Sequence, residues 1–125
     1  MTKETSHFFN INDLSEGIHR NLAEGVEARV FPGDQAMVSI VTLEPNKQGS
    51  IHSHPEEQWG ILLEGNGIRI QNGVEHEIGP GSFWLTPGNV EHGIIAGSNG
   101  LKVMDVFAPP REAYKKSGSG FAVDG

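Results

Sequence analysis

The sequence predicts an all-β fold, a single antiparallel β-barrel, and three observations carry that prediction. Short β-branched or apolar segments follow one another along the chain, turn residues separate them, and no segment sustains a helical period. The 17 glycines and 7 prolines are spread over the 125 residues rather than gathered in one tract, so they punctuate strands and do not mark disorder. About eight to ten short strands at such spacing make a barrel or sandwich. With no internal repeat and no linker in the chain, one barrel is the expectation.

The elements follow in order. Residues 26–31 alternate and stop at Pro32-Gly33-Asp34, and residues 35–43 are β-branched and apolar up to Glu44-Pro45-Asn46. Residues 51–54 form a short strand ended by Pro55, and residues 58–63 run to a turn at Gly65-Asn66-Gly67. Residues 68–71 and 74–78 flank Asn72-Gly73, whose two residues tolerate positive φ and so favour a two-residue hairpin. Residues 82–86 lie between Gly79-Pro80-Gly81 and Pro87-Gly88-Asn89, while residues 93–96 and 101–107 bracket a turn at 97–100. One short helical segment is expected at 111–116, residues 117–120 read as flexible, and residues 121–125 receive no structure. The organisation is therefore an N-terminal arm at 1–16, a barrel at 17–110 and a C-terminal tail at 111–125.

Composition narrows the function. The formal charge is −7 and the only adjacent cations are Lys115 and Lys116, so nucleic acid and anionic membrane are poor partners. A small anionic molecule remains a candidate, because a local cationic site outweighs a weak global field. No apolar run approaches the ~20 residues that span a bilayer, and residues 1–10 lack the apolar stretch of a signal peptide, so a cytoplasmic protein is expected. Without cysteine there are no thiolate ligands, disulfides or Cys nucleophiles.

The informative residues are histidines. His52 and His54 are two apart on an expected strand, which turns both rings to one face. Gln58 opens the next strand close by, and His92 arrives after the Pro87-Gly88-Asn89 turn. Alone, the His52/His54 pair is equally compatible with a solvated rim. Its context is more specific. Residues 49–65, GSIHSHPEEQWGILLEG, and residues 81–93, GSFWLTPGNVEHG, resemble the paired motifs of the cupin superfamily in the spacing of each histidine, glycine and proline. That resemblance implies an RmlC-like jelly roll holding one divalent transition metal ion (Fe, Mn, Ni, Co or Zn) with His52, His54, Gln58 and His92. Most cupins place glutamate third among the ligands. Here Gln58 resembles a glutamine-using subgroup, with Glu57 as the alternative ligand, and Asn89 stands where many members have glycine.

Four neutral ligands leave a divalent ion its full charge, suited to act as a Lewis acid on a carbonyl or enolate, with up to two positions open in an octahedral ion. Leu101, Val103, Asp105 and Phe107 share one strand face; turned inward, Asp105 is an acid/base, and otherwise it is solvated or capped at the mouth. Arg111 either folds back over the mouth to bind a carboxylate or is a solvated tail residue. The run DVFAPPRE at 105–112 resembles the pectin-degradation cupins that act on 4,5-unsaturated uronates. This implies that Asp105 moves the proton, Phe107 packs on the sugar and Arg111 holds the carboxylate. Trp59 should leave the cavity, toward a dimer interface or a sheet-packing layer, whereas Trp84 reads as core. Arg69, sharing a face with Gly67 and Gln71, lines the cavity or is solvated, and His7, His19 and His76 have no evident partners. The expectation is a metal-dependent lyase or isomerase acting on a small anionic keto or unsaturated sugar acid, as a homodimer. An Fe(II)-dependent dioxygenase and a non-catalytic small-ligand-binding barrel are the alternatives.

Overall fold

Alternating burial along Ile18–Ala23, Val26–Pro32 and the first half of Glu57–Gln71 turns these segments around a common interior. The computed structural model describes residues 7–121; the ends of the expected arm (1–6) and tail (122–125) lie outside the described residues. The strands are β1 (Ile18–Ala23), β2 (Val26–Pro32), β3 (Met37–Leu43), β4 (Glu57–Gln71), β5 (Val74–Ile78), β6 (Phe83–Thr86), β7 (His92–Ala108) and β8 (Gly118–Ser119), with a 3-10 turn at Glu112–Lys115. They form one sheet in the order β5-β4-β7-β3-β2-β1-β8, and β6 pairs with β4. All pairings are antiparallel except that of β1 with β8. The expected all-β jelly roll is what the chain adopts.

Register places the interior. One inward row crosses the sheet as Met37–Phe107–Gln58–Thr86, the next as Ser39–Asp105–Gly60–Trp84, and a third as Val41–Val103–Leu62. The third row belongs to the apolar core with Val26, Leu43 and Leu101, whereas the first two carry polar groups. The barrel is thus a core at one end and a polar cavity toward the other. Gly60 has no side chain because the Trp84 indole occupies its space, where an added Cβ would collide with the ring. The β4–β5 hairpin turns on Asn72 and Gly73, at φ 50 and 77, as its composition predicts.

Three expectations are corrected. Residues 51–54 are not a strand: His52 forms only an isolated bridge with His92, its N–H donating at 3.0 Å and its carbonyl accepting at 2.8 Å. Pro55, lacking an N–H, stops any extension. The Gly65-Asn66-Gly67 and 97–100 segments are not turns between strands but irregularities inside the long strands β4 and β7. The 117–120 segment is not free, because Gly118 and Ser119 pair with Arg20 and Asn21 of β1. Buried Arg20 fastens it further, donating to the carbonyls of Gly120 (2.9 Å), Ser119 (2.8 Å) and Ala113 (3.1 Å). Among the described residues, no helix is long and apolar enough to cross a membrane.

Candidate metal centre

The His52–His92 bridge and the loop after it bring three imidazoles together, with ring centroids of His52, His54 and His92 4.6–5.8 Å apart. One ring nitrogen from each lies within 4.8 Å of the other two. The rings are held by main chain. His52 Nδ1 meets the Ser50 carbonyl at 2.9 Å, His54 Nδ1 that of Glu56 at 3.1 Å, and His92 Nδ1 that of Val90 at 2.8 Å. A carbonyl only accepts, so Nδ1 of His52 and of His92 carries the proton and Nε2 presents a lone pair; placing the His54 proton on Nδ1 in the same way leaves its Nε2 a lone pair too. This second contact is what fixes tautomer and aim in metal-bound histidines.

Two observations test whether the site fits a cation. His92 Nε2 is buried with no hydrogen-bond partner among the described residues. His54 Nε2 faces the side-chain oxygen of Gln58 at 3.0 Å; with Nδ1 the donor, two lone-pair atoms confront each other, an arrangement that a shared cation relieves. Burial holds His52 well below its usual range, to about 4, and His92 to about 3, and lowers His54 as well. The rings are therefore neutral, as a metal ligand must be. Three histidines here can hold a metal ion, and the donor set of nitrogens and an amide oxygen suits a first-row divalent ion. Gln58 is buried and faces the histidines, while Glu57 points outward and is exposed.

Asp105 lies in the next row and faces inward, as strand phase allowed. Its side chain is hydrogen-bonded to that of Gln58, and burial raises it to about 6 against the opposing pull of Arg69, the Gln58 bond and Arg111. Phe107 is buried with its ring 5.5 Å from that of His54. Arg111 is not a solvated tail residue: it is 4% exposed, stacks 4.2 Å over Tyr114, and its Nη2 donates to the Phe121 carbonyl at 2.6 Å. Its Nε lies 3.8 Å from the Glu56 carboxylate, which also sits 3.5 Å from His54 Nδ1. Trp59 is half-exposed on the outer face, Trp84 packs against the core, and His76 is exposed.

Sequence reasoning missed three parts of the site. Phe121, assigned no structure, lays its ring 4.5 Å from that of His52 and fills the space left by Gly49. Ser39 lines the cavity with a buried, unpartnered hydroxyl. Arg69, left undecided, is buried and lines it too. With Phe121 in place the cavity measures about 40 Å³, small beside the ~300 Å³ usual for a ligand pocket.

Comparison with known proteins agrees with this architecture. A model of the cupin domain matches residues 39–107. Dimethylsulfoniopropionate lyase DddW of Ruegeria pomeroyi is 38% identical over 89 residues, covering 71% of this chain and 57% of that protein. The chain thus spans little more than half the length of the curated relatives it matches. Among solved structures, an RmlC-like cupin from Shewanella frigidimarina superposes with a TM-score of 0.77 at 21% identity, covering 88% of this chain and 96% of that one. KdgF from a Halomonas species does so at 0.76 and 22% identity, covering 87% and 98%. At such identities the likeness is one of fold. Barrel topology, converging histidines and the match across 39–107 together make this chain a member of the cupin family.

Proposed function

We propose that the protein is a metal-dependent lyase or isomerase for a small anionic keto or unsaturated sugar acid, with its centre at His52, His54, Gln58 and His92. The observation that carries this reading is the convergence of three neutral imidazoles on Gln58, with a buried carboxyl hydrogen-bonded behind it. A bound divalent ion supplies Lewis-acid polarisation of a carbonyl or enolate. Asp105 then takes or gives the proton; a carboxyl raised to about 6 is poised for both near neutral pH. Its bond to Gln58 also orients that amide so that the oxygen faces the histidines. Phe107 supplies an apolar wall, and Arg111, tied to Glu56, Tyr114 and Phe121, fastens the tail over it. A lyase among the relatives points the same way.

Ligand pockets usually measure ~300 Å³ or more, and in this reading Phe121 withdraws to admit a sugar acid. The barrel at 17–110 is the catalytic unit in this reading, with the described part of the tail, residues 111–121, as its cover. The outer face carries two apolar cross-strand rows, Leu85–Trp59–Val106 and Phe83–Ile61–Met104, which suit a homodimer; Trp59→Asp should shift the mass in solution to that of one chain.

Elemental analysis of the purified protein beside a Gln58→Ala variant tests the centre. Near-stoichiometric transition metal, lost in the variant, is the expected result; a folded protein that takes up no metal on reconstitution would overturn it. An assay on unsaturated uronates run with and without oxygen then separates a lyase or isomerase from a dioxygenase, since only the latter stops without O₂.

A further inference from the structure

Arg69 is the cavity's second buried cation, 4% exposed, and the proposed chemistry gives it no part. Its guanidinium is held on two edges by neutral acceptors: Nε donates to the Gln71 side-chain oxygen at 3.1 Å and Nη2 to the Thr86 hydroxyl at 2.8 Å. Thr86 in turn donates to the same Gln71 oxygen, and the Gln71 amide donates to the Leu85 carbonyl at 3.1 Å, so the clamp is itself braced. The Trp84 ring backs the group at 5.5 Å. Nη1 makes no hydrogen bond and the guanidinium no ion pair among the described residues. A desolvated cation held by neutral groups keeps its full charge and costs several kcal/mol unless an anion offsets it. The nearest candidate in the fold, Asp105, acts on it electrostatically from the same cavity but does not close into a salt bridge.

A second observation points to a ligand. Ser39 is fully buried, lines the same cavity, and its hydroxyl has no partner. It is the direct cross-strand neighbour of Asp105. A buried hydroxyl without a bond costs roughly 1–3 kcal/mol, so the fold leaves both a cation and a hydroxyl unsatisfied on one wall.

We infer that Arg69 and Ser39 form an anion subsite on the strand wall, taking the carboxylate of a small keto or hydroxy acid on Arg69 and its adjoining oxygen on Ser39. The inference rests on the barrel interior being the ligand site and assigns the carboxylate to the wall rather than to Arg111 of the tail. The free edge of the guanidinium offers the planar donors that a carboxylate matches. The small volume beside it admits a carboxylate group of a smaller acid first.

The test titrates the metal-loaded protein with pyruvate and with uncharged pyruvamide, by calorimetry, in wild type, Arg69→Gln, Arg69→Lys and Arg111→Gln. Arg69→Gln should weaken pyruvate binding by about 10-fold or more, Arg69→Lys by less, and Arg111→Gln least, with pyruvamide unaffected. Equal pyruvate affinity in wild type and Arg69→Gln would overturn the inference. Should Arg69→Gln fail to fold, the Arg69 Nε–H resonance in the wild type gives the same answer: it moves with pyruvate, or the subsite does not exist. Metal content in the same preparations keeps the two readings apart. A wild type without metal that still binds pyruvate through Arg69 sinks the metal centre alone, and a fully loaded wild type that binds no carboxylate sinks the subsite alone.

Discussion

Two arginines face one cavity and are held in opposite ways. Arg69 rises from β4, where sheet register fixes its neighbours and two side chains of the wall clamp its guanidinium. Arg111 stands on the tail and is held by other loop and tail groups: the Glu56 carboxylate, the Tyr114 ring and the Phe121 carbonyl. The wall arginine is thus braced by side chains of its own sheet, while the tail arginine ties three separate segments together. A wall sets what the cavity recognises; a cover sets when it opens.

Variants sharpen this contrast in order of expected effect. His92→Ala strikes the wall and should lose metal and activity together; full metal content in that variant would break the histidine centre. Asp105→Asn should keep the metal but lower the rate by about 10²–10⁴-fold, and unchanged turnover would leave Asp105 without a role in proton transfer. Arg111→Ala, on the cover, should raise KM only a few-fold, less than Arg69→Gln does, with metal content intact. Phe121→Ala should act least, speeding removal of the metal by a chelator a few-fold without changing stoichiometry, because it opens the mouth and leaves the ligands alone.

Acidity separates the wall groups further in metal-free protein. The histidines are lowered, so their contribution is present above 6.5 and is lost as pH falls through about 4 and 3. Asp105 is raised, so its contribution is present below 3.8 and is lost as pH rises through about 6. Between about 4 and 6 the unfolded chain binds more protons at the histidines than the folded one binds at Asp105, and stability falls with acid. Asp105→Asn removes the opposing proton and should steepen that fall by roughly 1.4 kcal/mol per pH unit. Parallel urea midpoints for the two proteins across that range would mean that Asp105 stays ionised in the fold.

The convergence of His52, His54 and His92 beside Gln58 was legible because motif spacing is local: the four were named with no knowledge of the sheet, and Asn72-Gly73 announced its hairpin. Arg69 was not. Counted by twos from inward-facing Gln58 it falls on the outer face, but β4 carries an extra residue between Leu62 and Glu64, which resets the phase and turns Arg69 inward. Asp105 needed no such correction, as β7 pairs regularly with β3 from Leu101 to Phe107. The cover was illegible for another reason. Ser117 to Gly120 has the composition of a flexible linker, and contacts with Arg20 and Asn21, nearly a hundred residues earlier, hold it down.

The backbone carbonyls of Ser50, Glu56 and Val90 that aim the three imidazoles carry a consequence for how such a barrel evolves. A carbonyl is present whatever side chain a position bears. At Ser50 and Val90, therefore, substitutions that preserve the backbone path leave the imidazoles aimed, and drift there is free of the metal. Cavity-facing positions such as Ser39, Arg69 and Asp105 do their work through side chains and can be exchanged one at a time against a constant centre. A family built this way can change what its cavity recognises while keeping its histidine centre.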